Sequence, residues 1–401
     1  MPSINLRAVA RRAPLAFIFI TVFIDLMGYG MVIPLLPFFV QEQDAGATAA
    51  GALGAVYALM QLVSGPILGA LSDRFGRRPV LLVCLFGTAI AYLMLGFAAS
   101  LPMIFLAIML DGITGGNLST AYAYIADVTT ADNRARGMGL VGAAFGLGLM
   151  SGPAIGGLLS AYGLSAPAFV ACAIALSNVT FGFFVLPESL PPEKRTRIDT
   201  WRALNWVTQL VAVFRIASIR LLLAAIFTLN LAFAGLQTNF PLFSQARFGW
   251  DSTRNGIFFA FVGVCAVFVQ GFLLGWVQPR LGEKRLALGG LGLMALSLAA
   301  VALAPRDEWL YPIVALGALG SGMSIPSMTS LISQRTSSGE QGRLMGGTQV
   351  VLNLALIFGP LIAGLSFERI DITAPYWLGS VFALAALAMA FVALRARPVR
   401  E

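Results

Sequence analysis

Two aspartates, Asp25 and Asp111, lie inside long apolar stretches of the chain. A charged side chain at the centre of a lipid-embedded helix costs about 2.5–3.5 kcal/mol on insertion scales and is usually retained for function. A carboxyl group held away from water can bind and release a proton, the chemistry that couples transport to a proton gradient. We predict that both residues are proton-coupling groups. The alternative for either one is a structural hydrogen bond to a neighbouring helix.

The sequence has few residues suited to metal binding, disulfide formation or catalysis. The chain has no histidine, and Cys84, Cys172 and Cys265 all lie in apolar stretches. The usual metal ligand is therefore missing, and so is a pattern of paired cysteines. A membrane-embedded enzyme would also need clustered carboxylates, which the sequence does not show. We expect no enzymatic activity, no metal and no cofactor.

The surrounding sequence is that of a membrane protein. Of the 401 residues, 58% are hydrophobic and 11% are charged, whereas soluble proteins carry about 25% charged residues. A spanning helix needs about 20 mostly apolar residues, and twelve segments of the chain meet this requirement. They are residues 14–40, 47–71, 78–99, 101–127, 136–161, 166–186, 219–244, 253–279, 285–304, 309–333, 342–367 and 374–394.

The basic residues orient these spans. Of the 26 Lys and Arg residues, all but Arg247, Arg254, Arg306 and Arg369 fall on the side that holds both termini. Cytoplasmic loops carry this excess. We therefore predict a multi-pass membrane protein with both termini in the cytoplasm. The net charge of +8 then reflects anchoring to anionic lipid rather than nucleic-acid binding.

The chain contains an internal repeat. The charged turn Gly69–Arg78 has a weaker copy at Gly275–Lys284, the segment Asp25–Leu35 aligns with Ala232–Leu242, and Gly152–Gly157 aligns with Gly359–Gly364. Repeats of like orientation are related by an axis along the membrane normal. We predict an all-α fold of twelve transmembrane helices in two pseudo-symmetric six-helix bundles. The bundles are residues 1–186 and 219–401, joined by a cytoplasmic linker at 187–218.

These motifs resemble those of the major facilitator superfamily. Gly69–Arg78 is similar to its signature between spans 2 and 3, and Gly148–Gly157 to the span-5 motif of its antiporters. Asp25–Gly30 with Pro34–Pro37 resembles span 1 of the twelve-span drug:proton antiporters. Asp111–Asn117 and Ala123–Asp127 resemble the tetracycline-resistance branch of that group. The resemblance implies an inner-membrane exporter of small lipophilic compounds, driven by proton entry and working by alternating access.

Two of these motifs are candidates for gating. Asp73 can accept hydrogen bonds from the start of span 3 or pair with an arginine of the other half, and Pro279 at the matching position makes the gate asymmetric. Small residues at a spacing of four let helices pack closely, and a proline bends a helix. The predicted gating residues are Asp73, Arg74, Gly76, Arg77, Arg78, Gly148, Gly152, Pro153, Gly156 and Gly157.

Polar side chains within the spans are candidates for the substrate cavity, with interhelical hydrogen bonding as the alternative for each. They are Gln61, Asn117, Tyr122, Asn230, Gln237, Asn239, Gln270 and Asn353. The expected partners are a small-molecule substrate, protons and the lipid bilayer, and we expect a monomer.

The chain departs from the tetracycline exporters at several positions. The family's span-4 arginine is replaced by Ile108, and their span-3 aspartate, which precedes a tyrosine, is Ala91 before Tyr92. Their ionisable residues in spans 8 and 9 are also missing. The sequence therefore favours neutral or weakly charged apolar substrates over tetracycline. A facilitator or symporter of a polar metabolite on the same scaffold is the alternative function.

Overall fold

The computed structural model describes residues 6–129, 131–195, 210–211, 214–216, 219–335 and 341–395. The described residues are helical, since a chain in lipid must pair its backbone groups within each segment. In chain order the α-helices are α1 Leu6–Val32, α2 Leu36–Gln41, α3 Ala47–Phe75, α4 Arg77–Gly96, α5 Leu101–Thr114, α6 Leu118–Val128, α7 Ala131–Ser160, α8 Ala166–Val185, α9 Arg220–Phe248, α10 Ser252–Phe268, α11 Leu274–Leu281, α12 Glu283–Leu303, α13 Leu310–Gln334, α14 Gln341–Arg369 and α15 Ala374–Arg395.

Eleven helical stretches of the described chain are long and apolar enough to cross a membrane. The remaining predicted span, the fifth, falls on α7, whose apolar part is Gly146–Ser160. The prediction of an all-α, multi-pass membrane protein is therefore confirmed. Most of the linker 187–218 lies outside the described residues.

Three spans contain a break in their α-helical hydrogen bonding. A 3₁₀ turn at Ile33–Leu35 separates α1 from α2, and another at Gly115–Asn117 separates α5 from α6. A π-helical turn at Val269–Leu273 separates α10 from α11. Such irregular turns within a span are often found near functional groups.

The chain divides into two compact units. The first contains residues 1–33 and 60–204, and the second contains residues 34–59 and 205–401. The chain thus leaves the first unit at Pro34 and returns to it within α3. The predicted division into 1–186, 187–218 and 219–401 differs from these units mainly in the placement of residues 34–59, and it stays a prediction.

The same helix pairing occurs inside each unit. In the first, α1 packs on α7 and α8, and α4 packs on α5 and α8. In the second, α9 packs on α14 and α15, and α12 packs on α13 and α15. These are the pairs that the internal repeat relates, so the duplication seen in the sequence is also a duplication of structure.

Residues 34–59 lie with the second unit because the start of α3 is fastened to the end of α14. The Glu368 carboxylate accepts hydrogen bonds from the Thr48 amide, at 2.9 Å, and from the Thr48 hydroxyl. A Cβ at Gly51 would overlap the Pro360 carbonyl, and one at Gly364 would overlap the Ala47 carbonyl. Glycines at these two positions therefore allow the two backbones to touch.

Candidate functional site

Asp25 lies near the middle of the predicted first span, on α1, and is only partly exposed. Asn117 Nδ2 donates a hydrogen bond to Asp25 Oδ2 at 3.1 Å. Asn117 is itself buried and ends the 3₁₀ turn between α5 and α6. The break in the fourth span therefore places an amide donor against the carboxyl group of the first span.

Asp111 lies on α5 and is 3% exposed. Its carboxyl group interacts electrostatically with that of Asp25 and takes the Thr88 hydroxyl as a hydrogen-bond partner. Thr88 in turn shares a 2.9 Å hydrogen bond with the Thr114 hydroxyl. The two predicted proton-coupling residues are thus brought together inside the first unit.

Two tyrosines complete this cluster. Tyr29 interacts with Asp111, and Tyr92 interacts with both aspartates and with Tyr29. The Tyr92 ring packs over Gly28, where a Cβ would lie 3.2 Å from the ring carbon Cε2. Helical spacing in the sequence places Thr114 on the face of Asp111. Sequence reasoning missed Tyr29 and Thr88 as neighbours of the acids, and it noted Tyr92 only as a departure from a motif. We call Asp25, Asp111, Asn117, Thr88, Thr114, Tyr29 and Tyr92 the acidic cluster.

The acidic cluster brings two carboxyl groups together without an arginine or lysine among the partners described for them. A carboxyl group can bind and release a proton, and the neutral donors Asn117 and Thr88 can hydrogen-bond to its charged form. The chemistry that the arrangement supports is reversible proton binding.

The glycines of the predicted span-5 motif pack α7 against α1. A Cβ at Gly148 would meet Leu26 and Met27, one at Gly152 would meet Met27 and Gly30, and one at Gly156 would overlap the Met31 carbonyl. The residues that α7 touches thus lie on the turns of α1 that follow Asp25. The neighbouring Pro153 and Gly157 are also buried. Tight packing, offered in the sequence as part of the motif's role, is what the structure shows.

The charged turn between α3 and α4 is organised around Arg77, which is 8% exposed. Its guanidinium group pairs with Asp73 at 2.6 Å and with Asp127 at 3.1 Å. Its backbone amide donates to Glu188 Oε1 at 2.9 Å. Asp73 therefore pairs with Arg77 of its own turn. The sequence had proposed an arginine of the other half or the amides of span 3.

The remaining residues of this turn have separate roles. Gly76 has a φ of 107°, a conformation that residues with a Cβ rarely adopt, and so ends α3 sharply. Arg78 donates a hydrogen bond to the Phe183 carbonyl, and exposed Arg74 lies over the Phe75 ring. The turn is thereby tied to the ends of the fourth and sixth spans.

The second copy of this turn has different chemistry. Pro279 occupies the position of Asp73, and Glu283 at the start of α12 accepts hydrogen bonds from Gln278, Ser330 and Gln334. An acid held by neutral partners replaces the buried arginine of the first copy. The predicted asymmetry between the two turns is thus visible within each unit.

The predicted cavity residues fall into three environments. Asn117 belongs to the acidic cluster, and Gln61 donates to the Gly115 carbonyl at 3.2 Å beside it. Asn239 and Asn353 are buried; the former donates to the Ala363 carbonyl at 3.1 Å and the latter accepts from Gln349. Asn230 bonds its own helix, Gln237 is half-buried, and Tyr122 and Gln270 are exposed. The hydrogen bond of Asn239 fits the interhelical alternative.

Fold and site together define a multi-pass helical membrane protein, duplicated in sequence and in helix pairing, with a cluster of titratable groups inside one unit. A family model described as Major Facilitator Superfamily matches residues 18–305 and 266–401. The chain therefore belongs to the Major Facilitator Superfamily, and it is a membrane transporter, as the sequence predicted.

Individual relatives agree with this assignment. The tetracycline resistance protein of class C from Escherichia coli is 36% identical over 345 residues, which cover 85% of this chain and 86% of that protein. The class B protein from Escherichia coli is 36% identical over 366 residues, covering 90% and 89%. The crystal structure of the human organic anion transporter MFSD10 (TETRAN) matches with a TM-score of 0.72 and 26% identity, over 95% of this chain and 99% of that one.

Proposed function

We propose that this chain exports small lipophilic compounds from the cytoplasm in exchange for protons. The observation that carries the proposal is the acidic cluster, in which Asp25 and Asp111 interact inside a largely buried site. The resistance proteins named above are relatives over most of the chain. A topology with both termini in the cytoplasm fits the distribution of Lys and Arg. Location in the inner membrane and action as a monomer are part of the same proposal.

Within this proposal Asp25 is the proton-exchanging group and Asp111 its partner. Asp25 is the more exposed of the two, so it is the one that water can reach. Asn117 stabilises the carboxylate by donating to it, and loss of a proton leaves the charge on an oxygen that already has a partner. Alternate protonation of Asp25 then changes how strongly α1 is held to the turn at 115–117.

Tetracycline is the first substrate to test, because the relatives named above carry it in their names. Neutral apolar compounds are the second class, favoured by Ala91 where the tetracycline exporters have an aspartate. The assay should therefore use a panel of compounds from both classes rather than tetracycline alone. The gating residues of the charged turn and of α7 remain proposed conformational elements.

The test compares wild type with Asp25→Asn in a host that lacks its own efflux pumps. Wild type should raise tolerance to at least one compound of a panel that includes tetracycline and neutral dyes, and Asp25→Asn should abolish it at equal membrane expression. In proteoliposomes the variant should still bind that compound and exchange it without a gradient. Uphill transport by Asp25→Asn at the wild-type rate would exclude Asp25 as the coupling group.

A further inference from the structure

Five buried side-chain polar atoms of the first unit have no hydrogen-bond partner among the described residues, and three of them belong to uncharged residues within the spans. These three are Thr21 Oγ1, Thr120 Oγ1 and Asn178 Oδ1, and the three residues are 2%, 0% and 0% exposed. Buried polar atoms in folded proteins are nearly always satisfied, and those without a protein partner commonly bind ordered water. A group of three on packed helices is therefore a candidate hydration site.

These atoms lie next to the hydrogen bond between Asp25 and Asn117. Thr21 precedes Asp25 by four residues on α1, and Thr120 follows Asn117 by three residues on α6, so each is one turn away on the same helix face. Asn178 on α8 donates to the Thr21 carbonyl at 2.9 Å. Two of the three residues thus lie one helical turn from the hydrogen bond between Asp25 and Asn117, and the third contacts one of them.

The packing beyond Thr21 and Thr120 shows towards which end of the unit these residues lie from Asp25. Ile18 of α1 and Ile125 of α6 belong to one buried apolar cluster, together with Leu186 just after α8. The residues before Thr21 on α1 and the residues after Thr120 on α6 therefore lie at the same end of the unit. At that end lies the Arg77 network, with Asp127 and Glu188.

We propose that Thr21, Thr120 and Asn178 hold water that carries the proton of Asp25 towards the end of the unit where α1 begins. The inference rests on the proposed proton exchange at Asp25. The three residues are positioning residues, because they act on the proton through water. They form a polar relay between the acidic cluster and the apolar layer of Ile18, Ile125 and Leu186.

Water accepts the proton that Asp25 releases. The O–H bond of the Asp25 carboxylic acid breaks, its proton joins a relay water, and the carboxylate stays with Asn117 as donor. That water passes one of its other protons to the next water, so that one proton leaves in net terms. The apolar layer offers no acceptor, so transfer beyond it requires water to enter there, and this prevents a continuous leak of protons.

The test uses the double variant Thr21→Val/Thr120→Val and, separately, Asn178→Leu, which keep the branched shape of each side chain and remove its polar atoms. The matched control is Thr180→Val on α8, whose hydroxyl bonds its own helix at Leu176. Purified proteins in liposomes are assayed with the compound identified from the panel, by proton-driven uphill transport and by gradient-free exchange.

We expect the relay variants to slow proton-driven transport by about tenfold or more, since a positioned proton-transfer group contributes at least that much, while exchange and substrate affinity stay at wild-type values. Using Thr21→Ser instead of Thr21→Val in the double variant should restore part of the proton-driven rate, because it returns one hydroxyl. Wild-type proton-driven rates in the double variant and in Asn178→Leu would overturn the relay. An equal loss of proton-driven transport and of gradient-free exchange that Thr21→Ser does not rescue would overturn it as well. Failure of Asp25→Asn to affect coupling would instead overturn the proposed function.

Discussion

Asn117 donates its side-chain amide to Asp25 across the interface between the fourth and first spans. The donor sits at the end of a 3₁₀ turn, so its position depends on the local geometry of that turn. A change in the protonation of Asp25 would change this hydrogen bond directly. We therefore expect the pair to couple the charge of Asp25 to the geometry of the turn at Gly115–Asn117.

Replacing Asn117 by Leu should impair proton-driven transport, because the Asp25 carboxylate loses its donor. A hydrogen bond to a charged group contributes about 1.5–3 kcal/mol, so we expect at least a tenfold loss in the rate of proton-driven transport. The measurement is compound-induced proton movement in proteoliposomes, read with a pH-sensitive dye. Gln61→Leu is the matched control, since that amide binds a backbone carbonyl nearby. Equal loss in both variants would assign Asn117 a packing role only.

Replacing Arg77 by Ala should lower the stability of the protein. The substitution leaves Asp73 and Asp127 without their shared cation, and unsatisfied partners of this kind cost about 1–3 kcal/mol. A lower unfolding temperature in detergent, measured by tryptophan fluorescence, would show the loss. Arg74→Ala removes an exposed arginine from the same turn and should melt like wild type. If the two variants unfold at the same temperature, the ion pairs of Arg77 do not stabilise the protein as predicted.

Replacing Gly152 by Val should disrupt the packing of α7 on α1, because the added atoms would meet the backbone of Met27 and Gly30. Overpacking of this type costs about 1–3 kcal/mol, and transport should fall along with the yield of folded protein. Gly146→Ala on the same helix is the control, since a Cβ there meets nothing within 4 Å. Normal folding and transport in Gly152→Val would refute the close contact.

The proposed orientation predicts opposite labelling of two exposed acids. In a cysteine-free background, Glu42→Cys should react with an impermeant maleimide in intact cells, and Glu193→Cys should react only after permeabilisation. Both residues are exposed, so accessibility within the protein is not the variable. External labelling of both would overturn the topology with cytoplasmic termini. The linker position Thr196 would serve the same purpose, but it lies outside the described residues.

Much of the fold follows from the sequence, because its signals are local. Apolar length predicted the helices, Gly76 and Gly249 end helices with positive φ, and small residues at a spacing of four on α7 predicted close packing. The partners of Arg77 could not be predicted in the same way. Asp127 and Glu188 lie 50 and 111 residues away from it. Their meeting depends on how each helix is rotated about its axis, which apolar spans of low amphipathicity do not specify.

The acidic cluster, too, could be predicted from the sequence only in part. A carboxylate in an apolar stretch is visible in the sequence, so Asp25 and Asp111 were found. Thr114 follows Asp111 by three residues and Tyr29 follows Asp25 by four, so helical spacing places both near an acid. Thr88 carries no such signal, and only the packing of α4 on α5 selects it.

The π-helical turn at Val269–Leu273 sets how α11 is rotated relative to α10. A π turn holds one residue more than an α-helix over about the same rise, and one extra residue within an α-helix would rotate every following side chain by about 100°. The turn takes up this residue locally, so the side chains before and after it keep the spacing of one continuous α-helix. Deleting one residue from the turn should therefore join α10 and α11 into an uninterrupted helix without turning either face.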